Sequence, residues 1–260
     1  MEMNLEGKHA VVCGSTQGIG KASAIQLAEM GASVTLVARN EEKLKSVLSE
    51  LKPNEKHDYL VADFSKPQEL AKKIKTWSES NKTNILLNNT GGPKGGPIRE
   101  AEVDEFSDAF EQHLICNHIL VQALYPGMKD LGYGRIINVI STSVKQPLDG
   151  LGVSNTVRGA VANWSKTMAN ELGQFNITVN NVLPGATNTV RLQSIAENKA
   201  AKSSGLDYDE IIHNMAQLSP MKRIAQPEEV ANAIAFLASP AASYINGINV
   251  PVDGGRTKSL

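Results

Sequence analysis

A chain of 260 residues, 41% of them apolar, can bury one full core and lies near the size at which a second begins. Its 26 Lys and Arg against 27 Asp and Glu leave a net charge of -1, which excludes the long-range positive field of a nucleic-acid or anionic-membrane binder. The two cysteines, Cys13 and Cys116, stand far apart in apolar stretches without metal-ligand spacing, so a disulfide framework and a zinc cluster are excluded as well. No stretch approaches the roughly 20 apolar residues of a membrane span, and MEMNLEGKHAVVCG has no signal-like apolar run, so a cytoplasmic protein is expected.

In chain order, His9–Cys13 reads as a short buried strand, and 18–30 shifts to a helical period carried by Ile19, Ala22, Ile25, Leu27 and Ala28. Ser33–Ala38 is a second strand, 41–51 a charged-faced helix stopped by Pro53, and 59–62 a third strand. Pro67–Ser80 is a helix with proline in its first turn, 84–87 a fourth strand, and the Gly/Pro-rich run 91–97 a loop. The spacing of Phe106, Phe110, Leu114 and Val121 predicts one long helix over 103–128, followed by a strand at 135–140 so apolar that both its faces are covered. A helix at 154–172 and a strand at 177–183 end at Pro184-Gly185. The stretch 189–223 is too long for an ordinary connection and reads as a lid with helices at 193–202 and Tyr208–Gln217. Its residues Ile195, Leu206, Ile211, Ile212, Met215 and Leu218 either line a pocket or pack the lid down. Pro227–Ala238 is the last helix and Asn249–Val252 the last strand. This alternation predicts a single α/β domain over 1–260, a Rossmann-type doubly wound parallel sheet with helices on both faces.

Between the first strand and helix lies Gly14-Ser15-Thr16-Gln17-Gly18-Ile19-Gly20. Glycines there admit positive φ and let a pyrophosphate approach the backbone, where the amides of the helix N-terminus meet its charge. At the tip of the second strand an acid would accept the ribose 2'-hydroxyl of NAD; this chain has Arg39, whose guanidinium suits the 2'-phosphate of NADP. Glu41 or Glu42 could partly neutralise it.

These motifs resemble the short-chain dehydrogenase/reductase family, above all its beta-ketoacyl-carrier-protein reductase-like members, over about 7–255. The glycine turn of that family is matched by Cys13 to Gly20, its adenine-side acid by Asp63, and its NNAG motif by Asn88-Asn89-Thr90-Gly91. Pro184-Gly185 and Asp253-Gly254-Gly255 match the remaining landmarks. The resemblance implies cofactor contacts from Gly14, Ser15, Gln17, Gly18, Ile19, Gly20, Arg39, Asp63, Asn89, Gly91, Arg158, Pro184, Gly185 and Thr187. It also implies a homodimer or homotetramer, with Val161, Trp164 and Met168 as an apolar seam on the 154–172 helix.

The chemistry departs from the family. Ser141 matches the serine that polarises the carbonyl, but Ser154 stands where the family has its proton-transferring tyrosine, and Arg158 where it has lysine. Residues 154 and 158 share one helix face, so the positions survive while the residue types change. An aliphatic hydroxyl is a far weaker acid than a phenol; Arg158 can bind ribose hydroxyls and an oxyanion but is a poor proton shuttle. His113 matches a family asparagine that holds a water in the proton path, and a histidine that titrates near neutrality could supply the proton; a helix histidine satisfied by its neighbours is the plainer alternative. Lys94 in the glycine loop could meet an acidic substrate or simply face solvent, and Asn155 could offer its amide to the cleft. Two readings of function arise. One is an NADP-dependent oxidoreductase that interconverts a small carbonyl compound and its alcohol with an altered proton donor. The other is a catalytically inactive nicotinamide-nucleotide-binding regulatory or partner protein. Non-redox chemistry in the nucleotide site is a third.

Overall fold

The computed structural model describes residues 1–54, 56–202 and 207–259. Seven strands form one parallel sheet in the order β3-β2-β1-β4-β5-β6-β7, with β1 His9–Cys13, β2 Ser33–Ala38, β3 Asp58–Val61, β4 Ile85–Asn88, β5 Gly134–Val139, β6 Ile177–Pro184 and β7 Asn249–Val252. The order reverses between β1 and β4, and at such a switch point a crevice opens beyond the carboxyl ends of the strands.

Alternation along the strands distributes the core to two layers. Ala10 and Val12 of β1 face a cluster with Ala24, Leu27 and Ala28 of α1 (Gly18–Glu29) and Val230, Ile234 and Leu237 of α9 (Pro227–Ala238). Val11 and Cys13 face the other side, with Leu70 and Ile74 of α3 (Pro67–Ser80), Leu120, Val121 and Leu124 of α5 (Cys116–Asp130), and Ala169 and Leu172 of α6 (Gly152–Leu172). Each fully buried Leu, Ile or Val is worth about 1.5–3 kcal/mol of transfer free energy. The helix α2 (Glu41–Glu50) is anchored by its cap Asn40, which accepts from Lys43 N, and by buried Leu44 and Val47.

The register of the sheet aligns an asparagine on each of four neighbouring strands: Asn88 with Asn138, Asn138 with Asn181, and Asn181 with Asn249. Asn88 Nδ2 donates to Asn138 Oδ1 at 2.8 Å, Asn138 Nδ2 to Asn181 Oδ1 at 3.0 Å, and Asn181 Nδ2 to Asn249 Oδ1 at 2.8 Å. Ser165 of α6 joins this chain by donating to Asn181 Oδ1 and receiving from Asn138 Nδ2. Buried amides are held here by one another, which locks the strands in register beneath the crevice.

The expected helix over 103–128 is not continuous. It consists of α4 (Val103–Phe110), a π turn at Glu111–Ile115, and α5, with Cys116 N donating to Glu111 O across the turn. The extra residue rotates α5 by about 100° relative to α4, and His113 lies in that turn, 1% exposed. The expected seam is also corrected at Val161, which is fully buried and packs with Ile140 and Leu183 inside the chain. The lid consists of α7 (Val190–Lys202) and α8 (Tyr208–Gln217); Ile211 is buried, Leu218 is exposed and so packs no pocket wall, and Leu206 falls outside the described residues.

Candidate active site

The turn from β1 into α1 is built by backbone that only glycine supplies readily. Gly14 and Gly18 have φ of +60° and +55°, a Cβ at Gly14 would lie 2.6 Å from Asn89 O, and one at Gly20 would run into Gly14 O. Asn89 Nδ2 donates to Cys13 O at 3.3 Å and Gly14 O at 3.4 Å, tying the end of β4 to the turn. α1 then begins at Gln17 with no side-chain cap and no acid in its first turn, whereas α8 and α9 close theirs with capping boxes. Unmet amides and the positive end of the helix dipole therefore face the crevice, and a pyrophosphate fits them. Ser15 is buried with its hydroxyl turned to Val37 O at 3.5 Å, Gln17 is exposed, and Ile19 is half-buried against the core.

Arg39 follows β2 and is exposed. Neither neighbouring glutamate neutralises it: Glu41 accepts from Tyr59 Oη at 2.9 Å and pairs with Lys45 at 3.0 Å, and Glu42 pairs with the same lysine. Asp63 accepts from Ser65 N and Oγ. Burial raises its pKa, yet these hydrogen bonds and the charges of Arg39 and Lys66 bring it below the usual range. A carboxylate and a guanidinium thus flank the carboxyl ends of β2 and β3. Gly91 has open space where a Cβ would stand, so no local contact demands glycine there. Gly185, after Pro184, packs against Asp253, and Thr187 Oγ1 donates to Gly185 O at 3.2 Å.

Farther along the crevice, Arg158 on α6 is 7% exposed and donates from one terminal nitrogen to Val139 O at 3.0 Å. Burial, then the charge of Arg191, lowers its pKa to about 10, so it stays protonated at neutral pH. Ser154, one turn earlier, is half-buried, and Ser141 is half-buried with its Oγ accepting from Ser143 N at 3.1 Å. His113 Nδ1 is 2.6 Å from Thr90 Oγ1, while its Nε2 is buried without a partner. The expectation that His113 titrates near neutrality is corrected: burial, then Arg158 and Arg191, push its pKa to about 2, and it is neutral under physiological conditions.

Other groups fall elsewhere. Tyr133 donates to Ala238 O at the far end of the sheet, Tyr59 binds Glu41, and Tyr244 and Tyr208 are exposed. Lys94 is exposed. Asn155 Nδ2 donates to Leu148 O, leaving its buried Oδ1 without a partner, so its amide holds the loop before α6. Among the described residues no three His, Cys, Asp or Glu side chains converge on a metal position, and no helix there is long and apolar enough to cross a membrane. Sequence reasoning missed Thr90, Thr189 and Arg191. Thr189 Oγ1 accepts from Leu192 N and its methyl stands 3.0 Å from where a Cβ of Gly18 would be, so the lid begins on the glycine turn. Arg191 donates to Pro93 O, strapping α7 to the loop after β4.

A doubly wound sheet with a glycine turn at its switch point and a polar crevice beyond β4 and β5 defines a dinucleotide-binding α/β protein. The family model described as enoyl-(acyl carrier protein) reductase matches residues 14–257. The chain belongs to the short-chain dehydrogenase/reductase family. It is similar to the uncharacterized oxidoreductase YvrD of Bacillus subtilis, 34% identical over all of both chains. The NADPH-dependent reductase BacG of the same organism is 32% identical, over 96% of this chain and 98% of that one. The structure of L-sorbose reductase from Gluconobacter frateurii, complexed with NADPH and L-sorbose, superposes with a TM-score of 0.91 at 34% identity over all of both chains.

Proposed function

We propose that this protein is an NADPH-dependent reductase of a small ketone or aldehyde, working without the phenol that its family uses for proton transfer. The reading is supported by the glycine turn with its uncapped helix N-terminus, by the exposed Arg39 after β2, and by Arg158, which lies one turn from Ser154 on α6 and donates to Val139 O at the end of β5. The cofactor contacts would come from Gly14, the backbone at Ser15, Gln17, Gly18, Ile19 and Gly20, from Asn89 and Gly91, and from Pro184, Gly185 and Thr187. Arg39 and Asp63 would hold the adenosine end, and Arg158 the nicotinamide ribose. When bound, NADPH supplies a hydride.

A carbonyl that gains a hydride leaves an alkoxide, and this chain's task is to hold that charge. Ser141 and Ser154 donate hydrogen bonds to the carbonyl oxygen, and the Arg158 cation stabilises the oxyanion. The proton comes from water. His113, being neutral, does not release a proton to the alkoxide; it orders that water, with Thr90 fixing its ring. Residues 1–260 form one domain with 189–223 as its cover, working in the cytoplasm as a homodimer or homotetramer joined through the outer face of α5 and α6.

Loss of NADPH absorbance at 340 nm with a panel of ketones and aldehydes tests this reading, after fluorescence has established NADPH binding. Consumption with at least one carbonyl supports it; tight binding with no turnover across the panel overturns it. That second result would favour a regulatory or partner protein that only holds the nucleotide, a reading supported by the neutral state of His113 and the Ser154 hydroxyl in place of a stronger acid.

A further inference from the structure

The loop after β4 is held on both sides by the connections that follow its neighbouring strands. Arg191, in the first turn of α7, donates from its guanidinium to Pro93 O. Gly92 lets it in: a Cβ there would stand 3.2 Å from Arg191 Nε and 3.3 Å from a terminal nitrogen. Three residues beyond Pro93, Gly96 N donates to Gly150 O at 2.8 Å and Gly152 N to Gly96 O at 3.5 Å, so that Gly96 and Leu151 form a parallel bridge. This second joint is as close as the chain permits, since a Cβ on Gly152 would run into the Ile98 side chain at 2.3 Å. Between the joints only Lys94 is exposed, while Pro93, Gly95 and Gly96 are half-buried.

Strand order decides what this loop covers. β4, β5 and β6 are neighbours in that order, and adjacent strands stand about 4.8 Å apart. The loop leaves β4 and α7 follows β6, so the bond from Arg191 to Pro93 O spans the carboxyl end of β5, from which the chain passes to Ser141. The joint at Gly96 meets the first residue of α6, two positions before Ser154. The two hydroxyls that receive the carbonyl oxygen in the proposed reaction thus stand beneath a loop fixed at two points.

We infer that Arg191 determines substrate size: by clasping Pro93 it holds the 91–97 loop as a roof over the carbonyl position, so that the crevice takes short carbonyl compounds and turns away long ones. This rests on the reductase reading for the word substrate, but binding alone can test the roof. A covered pocket stops gaining affinity once a ligand's chain fills it, whereas in an open cleft each added methylene binds about fourfold tighter. Releasing the clasp frees the loop on the side of α7 while the joint at Gly96 remains, and the room gained lies toward α7.

Calorimetry on protein saturated with NADP+ tests the inference with a series of secondary alcohols, the expected products, from 2-butanol to 2-decanol. In the wild-type protein the gain per methylene should stop within the series. In Arg191→Ala it should continue, so that 2-decanol gains tenfold or more relative to 2-butanol, and Arg191→Lys, which can still reach Pro93 O, should fall between. Gly92→Val attacks the same clasp from the loop by displacing the guanidinium, so the test does not hang on the folding of one variant, and it should reproduce Arg191→Ala. Circular dichroism and NADPH titration establish that each variant is folded and holds the cofactor. An unbroken gain up to 2-decanol in the wild-type protein, the same break in wild type and variants, or no binding of any alcohol to any form would each overturn the inference. Turnover separates the roof from the reading on which it rests. If the break shifts in the variants and no carbonyl consumes NADPH, the roof stands and the reductase falls. If ketones are reduced with a length preference that Arg191→Ala and Gly92→Val leave unchanged, the reverse holds.

Discussion

At the scale of single residues, the site is governed by where charge sits. Arg158 remains a cation until about pH 10 and His113 is neutral down to about pH 2. The kcat/KM of a carbonyl substrate should therefore be level from about pH 5 to 9, with no inflection near 6.5, and fall above that as the Arg158 cation is lost. A stopped-flow pH profile checks this, and an inflection near 6.5 that disappears in His113→Asn would restore the histidine as the acid. Arg158→Met removes the charge that would meet the alkoxide in the proposed reaction, and turnover should drop about 100-fold or more. Arg39→Asp puts a carboxylate where a 2'-phosphate would lie beside Asp63, so the ratio of NADPH to NADH affinity should fall at least tenfold. An unchanged ratio in fluorescence titrations would remove Arg39 from cofactor selection.

At the scale of elements, the crevice depends on strands held in register. Asn138 is the hub of the asparagine ladder, bonded to Asn88, Asn181 and Ser165 in a fully buried position. Asn138→Leu nearly conserves volume but leaves Asn88 Nδ2 without its acceptor, while Ser165 and Asn181 keep their bond to each other, so the cost is about 1–3 kcal/mol. Urea unfolding should show that loss; no change would mean that Asn88 re-pairs or finds water. The glycine turn is equally tied to its surroundings, since β4 reaches it through Asn89 and the lid through Thr189. The π turn shows how an element border serves the site: it sets His113 against Thr90 and lets α5 resume with Cys116 buried in the core.

At the scale of the whole molecule, half-buried His9 and buried His113 make stability depend on pH. Burial, chiefly, lowers the pKa of His9 to about 4 and of His113 to about 2, while in the unfolded chain each titrates near 6.5. The unfolded chain takes up these protons first, so their contribution is complete above pH 6.5. It is lost as pH falls toward 4 for His9 and toward 2 for His113. Each adds a slope of up to about 1.4 kcal/mol per pH unit, and urea midpoints between pH 7.5 and 5 should fall accordingly. His113→Asn should remove about half of that fall. The outer face of α5 and α6 carries half-buried His118, Tyr125 and Met168, which with Phe175 of the turn after α6 line a shallow hollow, and Trp164 packs edge-on against His118. Met168→Glu would put a charge into that face, so on the proposed assembly through it light scattering should show a mass reduced toward that of the single chain, and an unchanged mass would place the joint elsewhere.

Periodicity along the chain determines most of the architecture before any tertiary contact is known, because the spacing of apolar residues follows local backbone geometry. β1, β2, α3, α8, α9 and β7 have the limits that their patterns predict. The π turn escapes this logic, since one added residue leaves the flanking patterns intact and only shifts their phase. Val161 looks like a seam residue on its helix and is core, because Ile140, just past β5, and Leu183 of β6 reach it. The protonation state of His113 and the lowered pKa of Arg158 belong to the folded molecule alone. Both depend on loss of water and on charges brought together from distant parts of the chain, and Coulomb energy follows distance in space, to which spacing in sequence is blind.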